Sequence, residues 1–228
     1  MSWILNIDTS LETAAVTICC DGLIQGTRKS ENQKDHASFL EPAIKSLVKE
    51  AGIQLNDLSA IAVVYGPGSY TGLRVGMSSA KGLCYALNKP LILLNNLEVL
   101  TTAALRKYNE IPARWTSLFC PMIDARRMEV YTAIYDGNLN IVMNPCALIL
   151  NVQSYQDFLT NSGVYFFGNG SDKWKVLCDN KNAGFINIVY KEEAINQLST
   201  QKLEQQLFSP LAYAQPLYIK EFYSTQKP

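Results

Sequence analysis

"VVYGPGSYTGLRVG", residues Val63–Gly76, joins an apolar run to a knot of glycines and then to the start of a helix. An unbroken apolar run such as Ile61–Tyr65 is expected of a strand buried on both faces of a parallel sheet. A glycine turn between such a strand and a helix is how many phosphate loops are built. The helix N-terminus offers unpaired N–H groups and the positive end of a dipole. The spacing here matches neither common phosphate signature. A P-loop needs Gly-x-x-x-x-Gly-Lys-Ser/Thr, but Gly68 and Gly72 lie too close and Leu73-Arg74 follows. The dinucleotide fingerprint needs Gly-x-Gly-x-x-Gly, but three residues separate Gly68 from Gly72. The plainer reading is a sharp turn with Ser69 or Thr71 as the helix cap.

The flanking sequence supplies a pattern. Trp3–Ile7, Thr13–Cys20 and Leu23–Ser30 read as strands, and Asp21-Gly22 between the last two is a hairpin signal. Leu40, Ile44, Leu47, Val48 and Ala51 fall on one helical face. Asp35 is a candidate cap for that helix, Gly52 its end, and Pro42 predicts a kink or a later start. After the buried strand Ile61–Tyr65 come a helix over Gly72–Leu87, a strand at Leu91–Leu94 and a helix from about Glu98 to Tyr108. The order is β-β-β-α-β-α-β-α.

The second half repeats it. Ser117–Ile123, Glu129–Tyr135 and 139–150 read as strands, and Tyr155–Leu159 as a helix. Val164–Phe167 is a strand, Lys173–Cys178 a helix, Phe185–Val189 a strand and Glu192–Leu207 a helix. "NIDTSLETAAVTIC" (Asn6–Cys19) aligns with "MIDARRMEVYTAIY" (Met122–Tyr135), setting Asp8 on Asp124. "VVYGPGSY" (Val63–Tyr70) aligns with "YFFGNGSD" (Tyr165–Asp172), setting Gly66 and Gly68 on Gly168 and Gly170. Two echoes in one order predict an internal duplication, its second copy the more degraded. Tandem β-β-β-α-β-α-β units are the plan of the actin, sugar kinase and Hsp70 class, two ribonuclease H-like domains with a nucleotide between them. The expected domains are 1–110 and 111–228, with the boundary near Asn109–Thr116. Fold alone does not fix activity.

In that class an acid at the end of the first strand orients a metal ion or a water beside the nucleotide. Asp8, with Thr9 and Ser10 behind it, stands there, and the same residues suit a plain turn into a hairpin. Asp124-Ala125-Arg126-Arg127 is the matching corner; its arginines suit carboxylates across an interface, or a solvated turn. Asp8, Thr9, Gly66, Gly68 and Asp124 would line a vestigial nucleotide cleft. The helix after the glycine knot is odd in its own right. Gly72, Gly76 and Ala80 recur every fourth residue with Ser79 beside them, and an interior glycine costs about 1 kcal/mol against alanine. Such residues persist where another backbone comes close, either this chain's own sheet or a partner helix. Val75, Leu83 and Leu87 make the helix apolar nearly all round.

Bulk properties narrow the classes. The 228 residues carry 20 basic and 20 acidic side chains, and a balanced chain is a poor stand-alone nucleic-acid binder. The six cysteines form no Cys-x-x-Cys pair, so they read as buried thiols in a reducing cytoplasm. No signal peptide and no membrane span is expected. His36 is the only histidine, so no His–His metal pair exists and no Ser-His-Asp triad can be built without it.

In order along the chain, "NIDTS" (Asn6–Ser10), "DHASFLEPAI" (Asp35–Ile44), "GPGSYTGLRVG" (Gly66–Gly76) with "AKGL" (Ala80–Leu83), and "IDARRMEVYTAIY" (Ile123–Tyr135) closely resemble the bacterial TsaB (YeaZ) family of tRNA threonylcarbamoyladenosine biosynthesis proteins. The wider family bears the older label glycoprotease, or peptidase M22-like. The likeness runs to about Asp136; beyond it, "PLYIK" (Pro216–Lys220) is similar to a Pro-x-Tyr-Leu-Arg ending common in the family. The resemblance implies a non-catalytic scaffold that pairs with TsaD, the subunit that transfers threonylcarbamoyl to the adenosine beside the anticodon of tRNAs reading ANN codons. The ATPase TsaE joins them. It implies a homodimer when alone, contact with tRNA only through the complex, and no cofactor or metal. The catalytic paralogue's His-x-x-x-His metal pair corresponds to Asn96 and Leu100, which cannot replace two imidazoles. Its Ser-Gly-Gly-His phosphate turn corresponds to Asp124-Ala125-Arg126-Arg127. Family dimer contacts come from the helices matching His36–Ala51 and Gly72–Leu87, which marks His36, Leu40, Ile44, Leu47, Gly72, Val75, Gly76, Ser79, Ala80 and Leu83 as interface candidates. The rival readings are a nucleotide-using enzyme of the sugar kinase type and a peptidase.

Overall fold

The computed structural model describes residues 1–32, 35–108, 117–188 and 192–220, without the side chain of Tyr108. The expected boundary at 109–116 lies outside the described residues. Among the described residues ten strands form two five-stranded sheets. The first contains β1 (Trp3–Asp8), β2 (Ala14–Cys20), β3 (Leu23–Ser30), β4 (Leu58–Gly66) and β5 (Leu91–Asn95), in the order β3-β2-β1-β4-β5. The second contains β6 (Ser117–Asp124), β7 (Glu129–Tyr135), β8 (Ile141–Ile149), β9 (Gly163–Phe167) and β10 (Ala183–Phe185), in the order β10-β9-β6-β7-β8.

Read from the other edge, the second order is that of the first. In each sheet three antiparallel strands are followed by two parallel ones. This is the duplicated ribonuclease H-like plan of the actin and sugar kinase class. Asp8 ends β1 as Asp124 ends β6, and Gly66 and Gly168, at the ends of β4 and β9, both hold positive φ, 129° and 96°. Asp21 and Gly22 make the β2–β3 turn in left-handed conformations, φ 46° and 78°.

Helices α1 (His36–Glu50) and α2 (Tyr70–Leu87) cover one face of the first sheet. Leu40, Ile44, Leu47 and Met77 meet Leu5, Ile7, Val16 and Val63 there. Helix α1 runs unbroken past Pro42, so the later start does not occur. Pro42 and Ser38, whose carbonyl the missing N–H would have bonded, are both exposed, and water can satisfy that carbonyl. Asp35 takes the N-cap position, but its side chain accepts from Asn32 Nδ2 at 2.6 Å and caps nothing. Gly52, φ 69°, closes α1, with Ile53 N bonded to Val48 O at 3.2 Å. Ser69 does cap α2, its hydroxyl accepting from Gly72 N at 3.3 Å, and the helix begins at Tyr70, two residues before the expected start.

Helix α3 (Asn96–Tyr108) lies between the sheets. Val99 and Ala103 face Ala62, Ile92 and Leu94 of the first, while Leu97, Leu100 and Ala104 face Phe119, Ile123 and Ala133 of the second. Helices α4 (Gln156–Asn161) and α5 (Ser171–Lys175) cover the far face of the second sheet through Leu159 and Trp174. Strand β10 ends at Phe185, where the sequence predicted a strand to begin; Val189 lies outside the described residues. Helix α6 (Glu192–Glu204) returns to the first sheet, where Ala194, Ile195 and Leu198 pack on Ile4, Ala60 and Ile92.

The chain after α6 wraps the first lobe like a strap. Ser209 N bonds Leu91 O at 2.8 Å on the edge strand β5, and Leu217 N bonds Tyr65 O at 2.7 Å. Lys81 Nζ reaches Ala214 O at 2.9 Å. Arg74 bonds the Tyr218 hydroxyl at 3.0 Å and lies 4.0 Å over the Tyr70 ring. Lys220 then pairs with Glu129 of the second sheet.

Candidate functional site

The glycine knot is packed onto the turn that follows β1. A Cβ on Gly68 would lie 2.2 Å from Ser10 O, on Gly72 2.0 Å from Thr9 O, and on Gly76 2.5 Å from Thr9 Oγ1. Gly68 and Gly72 must be glycine for α2 and its leading loop to seat against residues 8–10, because a Cβ there meets backbone, while at Gly76 it would meet only the Thr9 hydroxyl. The contact is then fixed by hydrogen bonds. Ser69 N donates to Ser10 O at 2.7 Å, and the Thr9 hydroxyl donates to Gly72 O at 2.6 Å. Asp8 Oδ1 accepts from Ser10 N at 2.9 Å and from Ser10 Oγ at 2.6 Å. Asn96, at the start of α3, donates through Nδ2 to Ser10 Oγ at 2.9 Å and to Pro67 O at 3.0 Å. Gly66 is enclosed from the other side, since a Cβ there would lie 2.8 Å from Leu217 O of the strap.

Of the residues expected to line a cleft on this side, Asp8, Thr9 and Gly66 are buried, and Gly68 is half-buried against Ser10 O. Asp8 and Thr9 are 2% and 0% exposed, and the hydroxyls and N–H that could have met a phosphate bond to the chain itself. Asp124 is different. It is exposed, and its Oδ1 accepts from Arg126 N and Lys173 Nζ, each at 2.6 Å. Burial works to raise its pKa, but Lys173 and the Arg126 N–H outweigh that and hold it below the usual carboxylate range. A groove of about 470 Å³ does lie between the lobes, lined by Tyr65, Asn95, Glu98, Tyr135 and Lys202 among others, but none of the predicted cleft residues lines it.

The interface candidates divide in a similar way. Leu40, Ile44 and Leu47 are in the first lobe's core, and Gly72, Gly76 and Ala80 face the β1 turn and the sheet. His36 is 2% exposed, with Nε2 3.1 Å from Glu12 O. These seven are buried by their own chain, so the reading of the Gly72–Gly76–Ala80 stripe as a seat for a partner helix gives way to packing on this chain's own turn. Val75, Ser79 and Leu83 remain half-exposed. The outward face of α2 also carries Ser78, Gly82, Tyr85 and Ala86, which the sequence reading passed over. A Cβ on Gly82 would meet nothing within 4 Å, and Tyr85 is 83% exposed. The spacing Ser78–Gly82–Ala86 repeats every four residues, as the inner stripe does, so it was open to the same reasoning.

A family model described as "TsaD: tRNA N6-adenosine threonylcarbamoyltransferase" matches residues 25–149, more than half of the chain. The chain belongs to this family. Within it, the similarity is to the TsaB, or YeaZ, proteins. The tRNA threonylcarbamoyladenosine biosynthesis protein TsaB of Bacillus subtilis is 34% identical over 132 residues, 58% of this chain and 54% of that protein. TsaB of Escherichia coli is 31% identical over 137 residues, 60% and 56% of the two chains. The match thus spans about half the length of these relatives. TsaB of Buchnera aphidicola subsp. Baizongia pistaciae aligns over 96% of this chain and 98% of its own, at 27% identity. Among solved structures, YeaZ from Pseudomonas aeruginosa covers 96% of this chain and all of its own, with TM-score 0.76 and 25% identity. Asn96 makes the hydrogen bonds above, and Leu100, 3% exposed, packs between the sheets. No helix among the described residues is long and apolar enough to cross a membrane.

Proposed function

We propose that the chain serves tRNA threonylcarbamoyladenosine biosynthesis as a non-catalytic scaffold. In this reading it pairs with a TsaD-type transferase subunit, is joined by a TsaE-type ATPase, dimerises when alone, and reaches tRNA only through the complex, in the cytoplasm. The observation that carries it is the closed corner. The residues that would hold a phosphate or a metal in a catalytic relative bond one another here, from Asp8 and Ser10 through Asn96 to Pro67. A fold that keeps its helices and gives up its ligand groups keeps what a scaffold needs. The docking surface is the outward face of α2, where Val75, Ser78, Ser79, Gly82 and Ala86 allow a partner helix a close approach and Tyr85 supplies an exposed aromatic anchor.

The test is light scattering after size exclusion, with and without the TsaD-type subunit of the same organism. Gly82→Arg fills the open face without touching the core. It should leave a folded monomer that no longer joins the transferase. Wild-type association that survives Gly82→Arg unchanged removes α2 as the docking face. Tight ATP binding by the chain alone, measured by calorimetry, would favour a nucleotide-using enzyme instead.

A further inference from the structure

The turn between β6 and β7 holds residues that its backbone does not favour. Ala125–Met128 form the turn, closed by Ala125 N to Glu129 O at 3.1 Å and Glu129 N to Arg126 O at 3.2 Å. Arg126 and Arg127 adopt consecutive left-handed conformations, φ 68° and 49°. A side chain with a Cβ resists that region, and hairpin turns that need it usually carry Asn and Gly. Packing does not call for arginine, because both side chains are exposed. Among the described residues neither makes a close ion pair, although Arg126 acts on the Asp124 carboxylate through its charge. The lysines nearby differ, Lys173 being paired with Asp124 and Lys220 with Glu129.

Exposed apolar side chains flank the turn. Met128 is 41% exposed, Ile149 69% and Val152 63%. Glu129 is in register with Ile149, and Leu150 N bonds Met128 O at 2.7 Å, so the end of β8 lies alongside the turn. Exposed arginines without a close ion pair, beside methionine and aliphatic side chains, match the composition of protein interfaces, where Arg and Met are enriched and Lys is depleted. A phosphate-binding face would keep its lysines available for counter-ion release, and here both are neutralised.

We propose that the β6–β7 turn is a protein-docking surface. Arg126 and Arg127 pair with carboxylates of a partner segment whose apolar side chains cover Met128, Ile149 and Val152. The planar guanidinium matches a carboxylate through two parallel hydrogen bonds, which lysine cannot do. The inference rests on the function proposed above, which supplies the partners to be tried.

The chain is titrated by calorimetry against the TsaD-type and TsaE-type proteins of its organism, and the assembled complex against tRNA. Arg126→Asn with Arg127→Gly gives the turn its preferred residues. This variant should melt at a higher temperature than the wild type, yet bind one of the two proteins at least tenfold more weakly. Met128→Ser with Ile149→Ser should weaken the same association without raising the melting temperature. Both associations unchanged in both variants overturns the surface and leaves the function standing. A loss confined to tRNA affinity also overturns it, because the turn then reads phosphate. A wild-type chain that binds neither protein overturns the function itself, and this surface with it.

Discussion

The Thr9 hydroxyl donates to the carbonyl of Gly72 at 2.6 Å and lies 2.5 Å from where a Cβ on Gly76 would stand. One side chain thus holds the first turn of α2 and sets the size limit at the second. The glycines of this helix record a contact within the chain.

Gly76→Ala should therefore destabilise the fold by about 1–3 kcal/mol, the usual cost of overpacking. Its clash is with a side chain, so Thr9→Ala relieves it, and the double variant should lose less than the sum of the two single ones. Gly72→Ala meets the Thr9 backbone carbonyl and has no such rescue. Gly82→Ala is the control. With open space around it, it should gain about 0.5–1 kcal/mol of helix propensity. Urea unfolding of the set decides the matter; equal effects at Gly76 and Gly82 would refute this account of the packing.

Asn96→Leu removes the bonds to Ser10 Oγ and Pro67 O, at 2.9 and 3.0 Å. It also removes Asn96 Oδ1, which is buried without a partner among the described residues. The net loss should be about 1–3 kcal/mol, because relief of the unpartnered oxygen offsets part of the two lost bonds. The strongest slowing of amide exchange lost on mutation should be in residues 8–10, 68 and 69. Undiminished protection there would mean that Asn96 does not hold the corner.

Stability should fall on the alkaline side. Burial pushes the Cys19 and Cys120 thiols up to about 12 and that of Cys84 to about 11, the first two lowered somewhat by bonds from Asn6 and Thr132. In the unfolded chain a thiol ionises near about 8.5. The stabilisation from these groups is full below that pH, and it is lost as pH rises toward 11–12, where the folded chain still holds protons that the unfolded one has released. Urea midpoints from pH 7 upward should decline beyond about pH 9, and less steeply in Cys19→Ala. A flat profile would contradict this.

Much of the fold could be read from the sequence because its signals are local and periodic. β7 begins and ends where the apolar alternation of Glu129–Tyr135 does, and the paired Gly-x-Gly loops mark the same corner in both lobes. What failed was phase and long-range packing. Helix α2 is small or apolar nearly all round, so period alone could not say whether Gly76 or Gly82 faced inward; only the position of Thr9 decides it. Asp35 has the right residue type for a cap, yet Asn32 competes for its carboxylate. β10 was misplaced because Phe185–Ile188 carries the stronger apolar run, while the pairing with β9 uses Ala183–Phe185. The outer stripe Ser78–Gly82–Ala86 has the same four-residue spacing as the inner one, so spacing alone does not rank the two.

The return of α6 and the strap to the first sheet sets an order of events on the ribosome. Ile4, Ala60 and Ile92 emerge early but wait for Ala194, Ile195 and Leu198 to cover them. Tyr65 and Gly66 wait longer still, for Leu217. Until α6 emerges, the part of this sheet face that α3 does not cover stays exposed on the nascent first lobe, the period when binding by a chaperone matters most.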